Sequence, residues 1–219
     1  MKEMETYKHE SSDQEEEDVD ISEEGWIQWF CSLEGHEFFC EVDEEFIQDN
    51  FNLYGLKEKF AQYDEAIETI LSTEIPTEDD LENDGYLELY QTSADLYGLI
   101  HARFIVTPRG LSIMKEKFIA GRFGTCPRVM CERQHVLPVG LAEVLRTSRV
   151  KIFCPKCKDV YIPKNKYADV DGAYFGCSFP HLFLLTYPDL NPVKITPEYI
   201  PRIYGFKIFK RKGSKYSKV

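Results

Sequence analysis

The stretch Cys126-Pro127-Arg128-Val129-Met130-Cys131, followed 22 residues later by Cys154-Pro155-Lys156-Cys157, decides how this chain is read. Two close cysteine pairs across a loop of that size form a four-thiolate metal pattern. Zinc favours four soft ligands in a tetrahedron, and each pair supplies two from one tight turn. In both pairs proline follows the first cysteine, which fixes φ and stiffens a turn whose other amides can point at sulfur. Scattered core cysteines have no reason to fall as C-x4-C and C-x2-C, and a disulfide would need an oxidising compartment that nothing else here suggests. His135 follows Cys131 by four residues. Because Cys126, Cys131, Cys154 and Cys157 already complete a shell, it reads as a loop histidine. A closed shell has no position for water, so the expected cofactor is a structural Zn2+ ion.

The segments on either side differ in texture. Residues 122–198 read as a zinc-ribbon β module. Val150-Lys151-Ile152-Phe153 and Asp159-Val160-Tyr161-Ile162 are strand-like flanks of the second pair, and Leu182-Phe183-Leu184-Leu185 is a further apolar strand. Seven prolines from Pro155 to Pro201 keep the elements short. Residues 22–121 read as an all-helical domain. Asp43 is placed to cap a helix carrying Glu44 and Glu45 in its first turn. Leu56, Phe60, Tyr63, Ile67 and Ile70 recur at helical spacing as one stripe, ended by Pro76. Tyr86 to Val106 is the longest helix, apolar around its circumference and therefore central, with His101 as a hydrogen-bonded core residue. Thr107-Pro108 opens another helix, which Gly121 closes. The fold class is α+β.

The chain has 219 residues and a net charge of −12, unevenly spread. Residues 1–24 hold eleven acids against Lys2 and Lys8, residues 74–88 hold seven acids and no base, and residues 207–219 hold six bases and no acid. Residues 1–21 are too polar to repay ordering and read as a disordered tail. Ser12, three residues before Glu15, is placed for a kinase with a basic substrate groove. An acidic body repels nucleic-acid phosphate, which disfavours the alternative of a nucleic-acid-binding or transcription-associated zinc ribbon. No apolar run approaches the ~20 residues that span a bilayer, so no membrane is expected. With four cysteines on zinc, Cys31, Cys40 and Cys177 suit a reducing cytosol or nucleus. No kinase glycine loop, His-Arg-Asp, Asp-Phe-Gly, Gly-x-Ser-x-Gly or His-Glu-x-x-His occurs, which argues against an enzyme. Residues 199–219 form a last unit. In Arg202-Ile203-Tyr204-Gly205-Phe206-Lys207-Ile208, strand period two puts Tyr204, Phe206 and Ile208 on one face, and Gly205 permits a hairpin. Exposed aromatics in a polar frame mark a partner site, whereas a final ribbon strand would bury them.

Several segments together resemble the regulatory beta subunits of casein kinase II. They include Trp26-Ile27-Gln28-Trp29-Phe30-Cys31, Gly35-His36-Glu37-Phe38-Phe39-Cys40, Leu96-Tyr97-Gly98-Leu99-Ile100-His101-Ala102-Arg103, both cysteine pairs, Asp171-Gly172-Ala173-Tyr174-Phe175-Gly176 and Pro201 to Ile208. The resemblance covers about Trp26 to Ile208. It implies a non-catalytic regulatory subunit of a Ser/Thr protein kinase, a homodimer joined through its zinc modules, and two catalytic alpha subunits bound in an α2β2 tetramer. It further implies that Tyr204, Phe206 and Ile208 contact the catalytic subunit and that Pro127, Val129, Leu141 and Val160 lie at the dimer seam. Glu78, Asp79, Asp80 and Glu82 match a groove for polyamines and basic protein substrates, and Ser12 is the candidate autophosphorylation site. A degradation signal of animal members falls at Asp64-Glu65-Ala66-Ile67, which lacks its Arg-x-x-Leu form.

Overall fold

The computed structural model describes residues 25–167, 169–192 and 200–208. Seven helices and two small sheets are assigned among them. Helix α1 spans Trp26–Ser32, α2 Glu44–Gln48, α3 Tyr63–Ile70, α4 Glu78–Leu81, α5 Asp84–Phe104 and α6 Pro108–Ile119. Strands β1 (Leu137–Val139), β2 (Lys151–Phe153) and β3 (Val160–Tyr161) make an antiparallel sheet in that order. Helix α7 (Phe179–Thr186) follows, and strands β4 (Arg202–Ile203) and β5 (Phe206–Lys207) form a separate hairpin.

The centre is the second half of α5: Ser93 to His101 are buried on every side, while Asp84, Glu88 and Gln91 in its first half are exposed. Asn83 caps it, its side chain accepting from the Gly85 and Tyr86 amides at 2.9 and 3.3 Å. Leu96, Tyr97, Ile100, His101 and Phe104 are buried, and α3 packs alongside. Trp26 stacks on Phe30 at 4.8 Å and meets Tyr97 edge-on at 5.7 Å, so the aromatic N-terminal turn is spent on this helix. The Tyr97 hydroxyl donates to the Cys40 carbonyl at 3.0 Å and accepts from the Val42 amide. Helix α6 starts as expected: the Thr107 hydroxyl accepts from the Gly110 amide at 3.1 Å and Pro108 takes the first turn. Gly121, at φ +70°, terminates it.

Three sequence expectations need correction. The run Leu182–Leu185 is helical, lying within α7. Phe179, Phe183 and Tyr187 form a ladder at 5.8 and 5.2 Å, whereas a strand, rising about 3.3 Å per residue, would hold residues four apart at about 13 Å. The stripe from Leu56 to Leu71 is not one helix. Phe60 is extended at φ −127°, ψ 125°, so α3 begins only at Tyr63, and it ends at Ile70, six residues before Pro76. Asp43 does precede α2, but its side chain makes no cap and pairs with the Arg109 Nε at 3.2 Å.

The core is continuous from the helices into the cysteine-rich segment. Phe38 stacks on Tyr167 at 4.0 Å. The turn Gly172–Tyr174 lies against α5 at Gly98, where an added Cβ would come within 2.0 Å of the Tyr174 ring. Beside it His101 Nδ1 bonds the Tyr174 carbonyl at 2.8 Å. The Tyr174 hydroxyl donates to the buried Asp95 carboxylate at 2.7 Å, and Arg146 completes that carboxylate at 2.9 Å.

Candidate metal centre

Each cysteine pair is built by its turn. In the first, the Cys126 amide donates to the Gln134 carbonyl at 2.8 Å and the Cys131 amide to the Arg128 carbonyl at 2.9 Å. Glu132 and Arg133 then take the left-handed conformation at φ 54° and 59°, which turns the chain back toward Thr125. In the second, β2 ends at Phe153 and β3 starts at Val160, so antiparallel pairing forces the intervening residues into a reversal. The Cys154 amide donates to the Asp159 carbonyl at 3.0 Å, and Lys158 supplies the positive φ of 60°.

The two turns bring four Sγ atoms within 4.8 Å of one another. Cys126 Sγ and Cys157 Sγ are 3.9 Å apart, as are Cys131 Sγ and Cys154 Sγ. A tetrahedron of Zn–S bonds of about 2.3 Å has edges of about 3.8 Å, so the donor set fits the ion. Cys126, Cys131 and Cys154 are buried and Cys157 is half-buried. Burial pushes the Cys126 thiol up, and the Cys154 thiol up to about 11. Burial acts on Cys157 in the same direction, but the Tyr161 hydroxyl, 3.2 Å from its sulfur, and further donors outweigh it and bring the thiol down to about 7. A cation among these sulfurs would displace their protons. His135 is outside the cluster, edge-on to Phe118 at 5.9 Å. No disulfide joins any of the seven cysteines.

The other candidate residues are dispersed. Pro127 and Val129 lie in the first cysteine turn, Val160 begins β3 and Leu141 follows β1. All four are exposed, Val129 to 89%. Ile162, 77% exposed, adds an apolar group that the sequence reading missed. The acidic segment contains α4, where Thr77 and Asp80 form a reciprocal capping box. Asp80 is therefore engaged, and its hydrogen bonds from Thr77 hold its carboxyl below the usual range. Asp79 and Glu82 point to solvent; of Glu78 only the backbone is described.

The final hairpin pairs Arg202 with Lys207 and Ile203 with Phe206. Tyr204 and Gly205, at φ 48° and 83°, form its two-residue turn. Tyr204 is thus at the tip and not in a strand, so the period-two argument for its sharing a face with Phe206 and Ile208 does not hold. A tyrosine at positive φ next to glycine is the cost of the tight turn. Tyr204 is 97% exposed and Phe206 78%; Ile208 is half-buried, its amide donating to the Pro201 carbonyl at 3.4 Å. Ile203, also exposed, was not singled out from sequence. Ser12 lies outside the described residues.

The family model described as "Casein kinase II regulatory subunit" matches residues 25–207. The Dictyostelium discoideum protein "Casein kinase II subunit beta" is 50% identical over 202 residues, covering 91% of this chain and 74% of its own length. "Casein kinase II subunit beta'" of Drosophila melanogaster is 48% identical, covering 87% of this chain and 86% of its own. "Casein kinase II subunit beta" of Schizosaccharomyces pombe is 50% identical over 84% of this chain and 78% of its own length. The match spans both cysteine turns, the central helix and the hairpin, and the chain belongs to the casein kinase II regulatory subunit family, a family of non-catalytic subunits.

Proposed function

We propose that this chain dimerises through its zinc-ribbon segment and holds a kinase catalytic subunit on its C-terminal hairpin. The observation that carries the reading is the hairpin itself. Tyr204, Phe206 and Ile203 are exposed on a hydrogen-bonded two-strand ribbon outside the main core. Large rings held in place lose little freedom on docking, and aromatic anchors in a partner's pocket dominate interface energies. Ile208 extends the contact. Zinc bound by Cys126, Cys131, Cys154 and Cys157 fixes the two turns, so that Pro127, Val129, Leu141 and Val160 present an apolar seam to a second copy. Such exposed apolar groups support an association surface. Two chains and two catalytic subunits then make a heterotetramer.

Three further roles follow from the charge distribution and thiols. Glu78, Asp79, Asp80 and Glu82 form a docking point for polyamines and basic protein substrates, since seven acids and no base in residues 74–88 create a local negative potential. Ser12 is phosphorylated by the bound catalytic subunit. Cys31, Cys40 and Cys177, none of them in a disulfide, suit the cytoplasm and nucleus.

The decisive experiment is paired. Tyr204→Ala with Phe206→Ala should weaken calorimetric binding to the catalytic subunit at least ~30-fold, the equivalent of about 2 kcal/mol. The thermal melt of the regulatory chain alone should not move. Binding within threefold of the parent, or a depressed melt, overturns the anchor role.

A further inference from the structure

The molecule carries a basic groove that none of the roles above uses. It lies where the end of α6 meets the first cysteine turn and the segment after β3. Arg122, Arg133, Lys164 and Lys166 line it, with Ile152 and Tyr167 as apolar floor, and no acid lines it. Arg122, Arg133 and Lys164 are exposed and have no carboxylate partner among the described residues. Only Lys166 is paired, to Glu37, while its ammonium lies 4.9 Å from the Tyr167 ring centre. The fold brings these cations together from separate places. Arg122 follows the Gly121 helix stop, the left-handed Arg133 completes the first turn, and Lys164 precedes the short turn Asn165–Tyr167 that contains Lys166. In a chain of net charge −12, four converging cations are a local reversal of sign.

We infer that this groove receives the chain's own acidic N-terminal segment, Glu10 to Asp20. That segment has seven acids in eleven residues and no base. It is joined to the body through Gly25, and 24 residues can reach at most about 80 Å when extended, so the tether allows the contact. A tethered ligand acts at an effective concentration near the millimolar range, which lets a modest charge-driven site fill. The apolar floor is small and the cations are exposed, so attraction is electrostatic and screened over about 10 Å at 0.1 M salt. Phosphate on Ser11 or Ser12, within the segment, would add charge to the same contact.

The test uses the full chain and a fluorescent peptide of residues 8–22 added in trans. If the tethered segment holds the groove, the parent binds the peptide weakly. A variant with Glu15→Gln, Glu16→Gln, Glu17→Gln and Asp18→Asn should bind it about tenfold or more tightly, because the internal competitor is gone. Adding Arg122→Ser, Arg133→Ser and Lys164→Ser to that variant should abolish the gain, and salt should weaken it. Circular dichroism and an unchanged melt would show that these exposed substitutions keep the fold. Equal peptide binding by the parent and the tail-neutralised chain overturns the proposal and leaves the groove to a foreign acidic segment. Binding that survives the groove substitutions also overturns it, by placing the peptide on the six bases of residues 207–219.

Discussion

His101 makes the stability of this protein sensitive to acid in a calculable way. Its ring is fully buried on α5. The Cys40 amide donates to Nε2 at 3.1 Å, so the ring proton is on Nδ1, which donates to the Tyr174 carbonyl at 2.8 Å. A second proton would have to enter at Nε2, against an N–H already pointing there. Burial, with the Lys117 ammonium as a lesser opponent, takes the imidazole from 6.5 down to about 4, even though the Tyr174 carbonyl favours the cation. The folded value lies below the unfolded one. The neutral ring's contribution is therefore fully present above pH 6.5 and is lost as pH falls from 6.5 toward 4. A difference of that size at 1.36 per pH unit is about 3 kcal/mol. The assay is urea unfolding at pH 7.5, 6, 5 and 4.5, with His101→Gln as the non-titrating reference. Glutamine can accept from Cys40 and donate to Tyr174, and both proteins carry the same acid-labile thiolates, so the metal's contribution cancels in the difference. Between pH 7.5 and 4.5 the parent should lose about 2–3 kcal/mol relative to the variant. A difference flat with pH, or one that grows in the parent's favour on acidification, would refute the reasoning.

Other consequences can be measured directly. Cys126→Ser with Cys131→Ser should abolish zinc retention and lower the melt sharply, since a four-thiolate site contributes on the order of 10 kcal/mol; a zinc-free double variant that stays a well-folded dimer in sedimentation would count against it. Zinc affinity should fall steeply from pH 8 to pH 6, because the ion must displace protons from Cys126 and Cys154, and a competition titration against a chromophoric chelator reads this. Gly98→Ala should cost about 3 kcal/mol or more in denaturant unfolding, as its Cβ would sit 2.0 Å from a Tyr174 ring that Asp95 and His101 hold in place; a loss under 1 kcal/mol would mean that the turn yields. Neutralising Asp79, Glu82 and Glu78 while keeping the helix-capping Asp80 should remove salt-sensitive polyamine stimulation of the reconstituted kinase, and unchanged stimulation would leave the segment a solvated face.

The cysteine turns were legible because two such spacings point to four thiolates gathered at one place, and the central helix because its second half, from Ala94 to Phe104, is mostly apolar. What failed had a common cause: local pattern without partners. Leu182-Phe183-Leu184-Leu185 has no polar residue to mark a period, so strand and helix are indistinguishable until Phe179 and Tyr187 are seen stacked with Phe183. Phe60 kept the helical spacing of its neighbours while its backbone was extended. Tyr204 was assigned a face by alternation, but the turn claimed it, an uncommon place for a residue with a side chain. β1 was missed because Pro138 sits inside it, as edge strands allow. The groove cations come from three stretches, and the support of Cys157 by Tyr161 depends on strand pairing; neither has a sequence signature.

The fit of Tyr174 into α5 also sets a schedule. His101 is bonded to a carbonyl 73 residues later in the chain. At a synthesis rate of about 5–20 residues per second, the ribosome needs roughly 4–15 seconds to deliver that partner. Once α6 has been made, and for the rest of this interval, the helical half is complete in sequence but lacks the wall that covers Gly98 and His101. A newly made chain therefore passes through a stage in which its central helix is bare on one side, and this is when chaperone capture or proteolysis would find it.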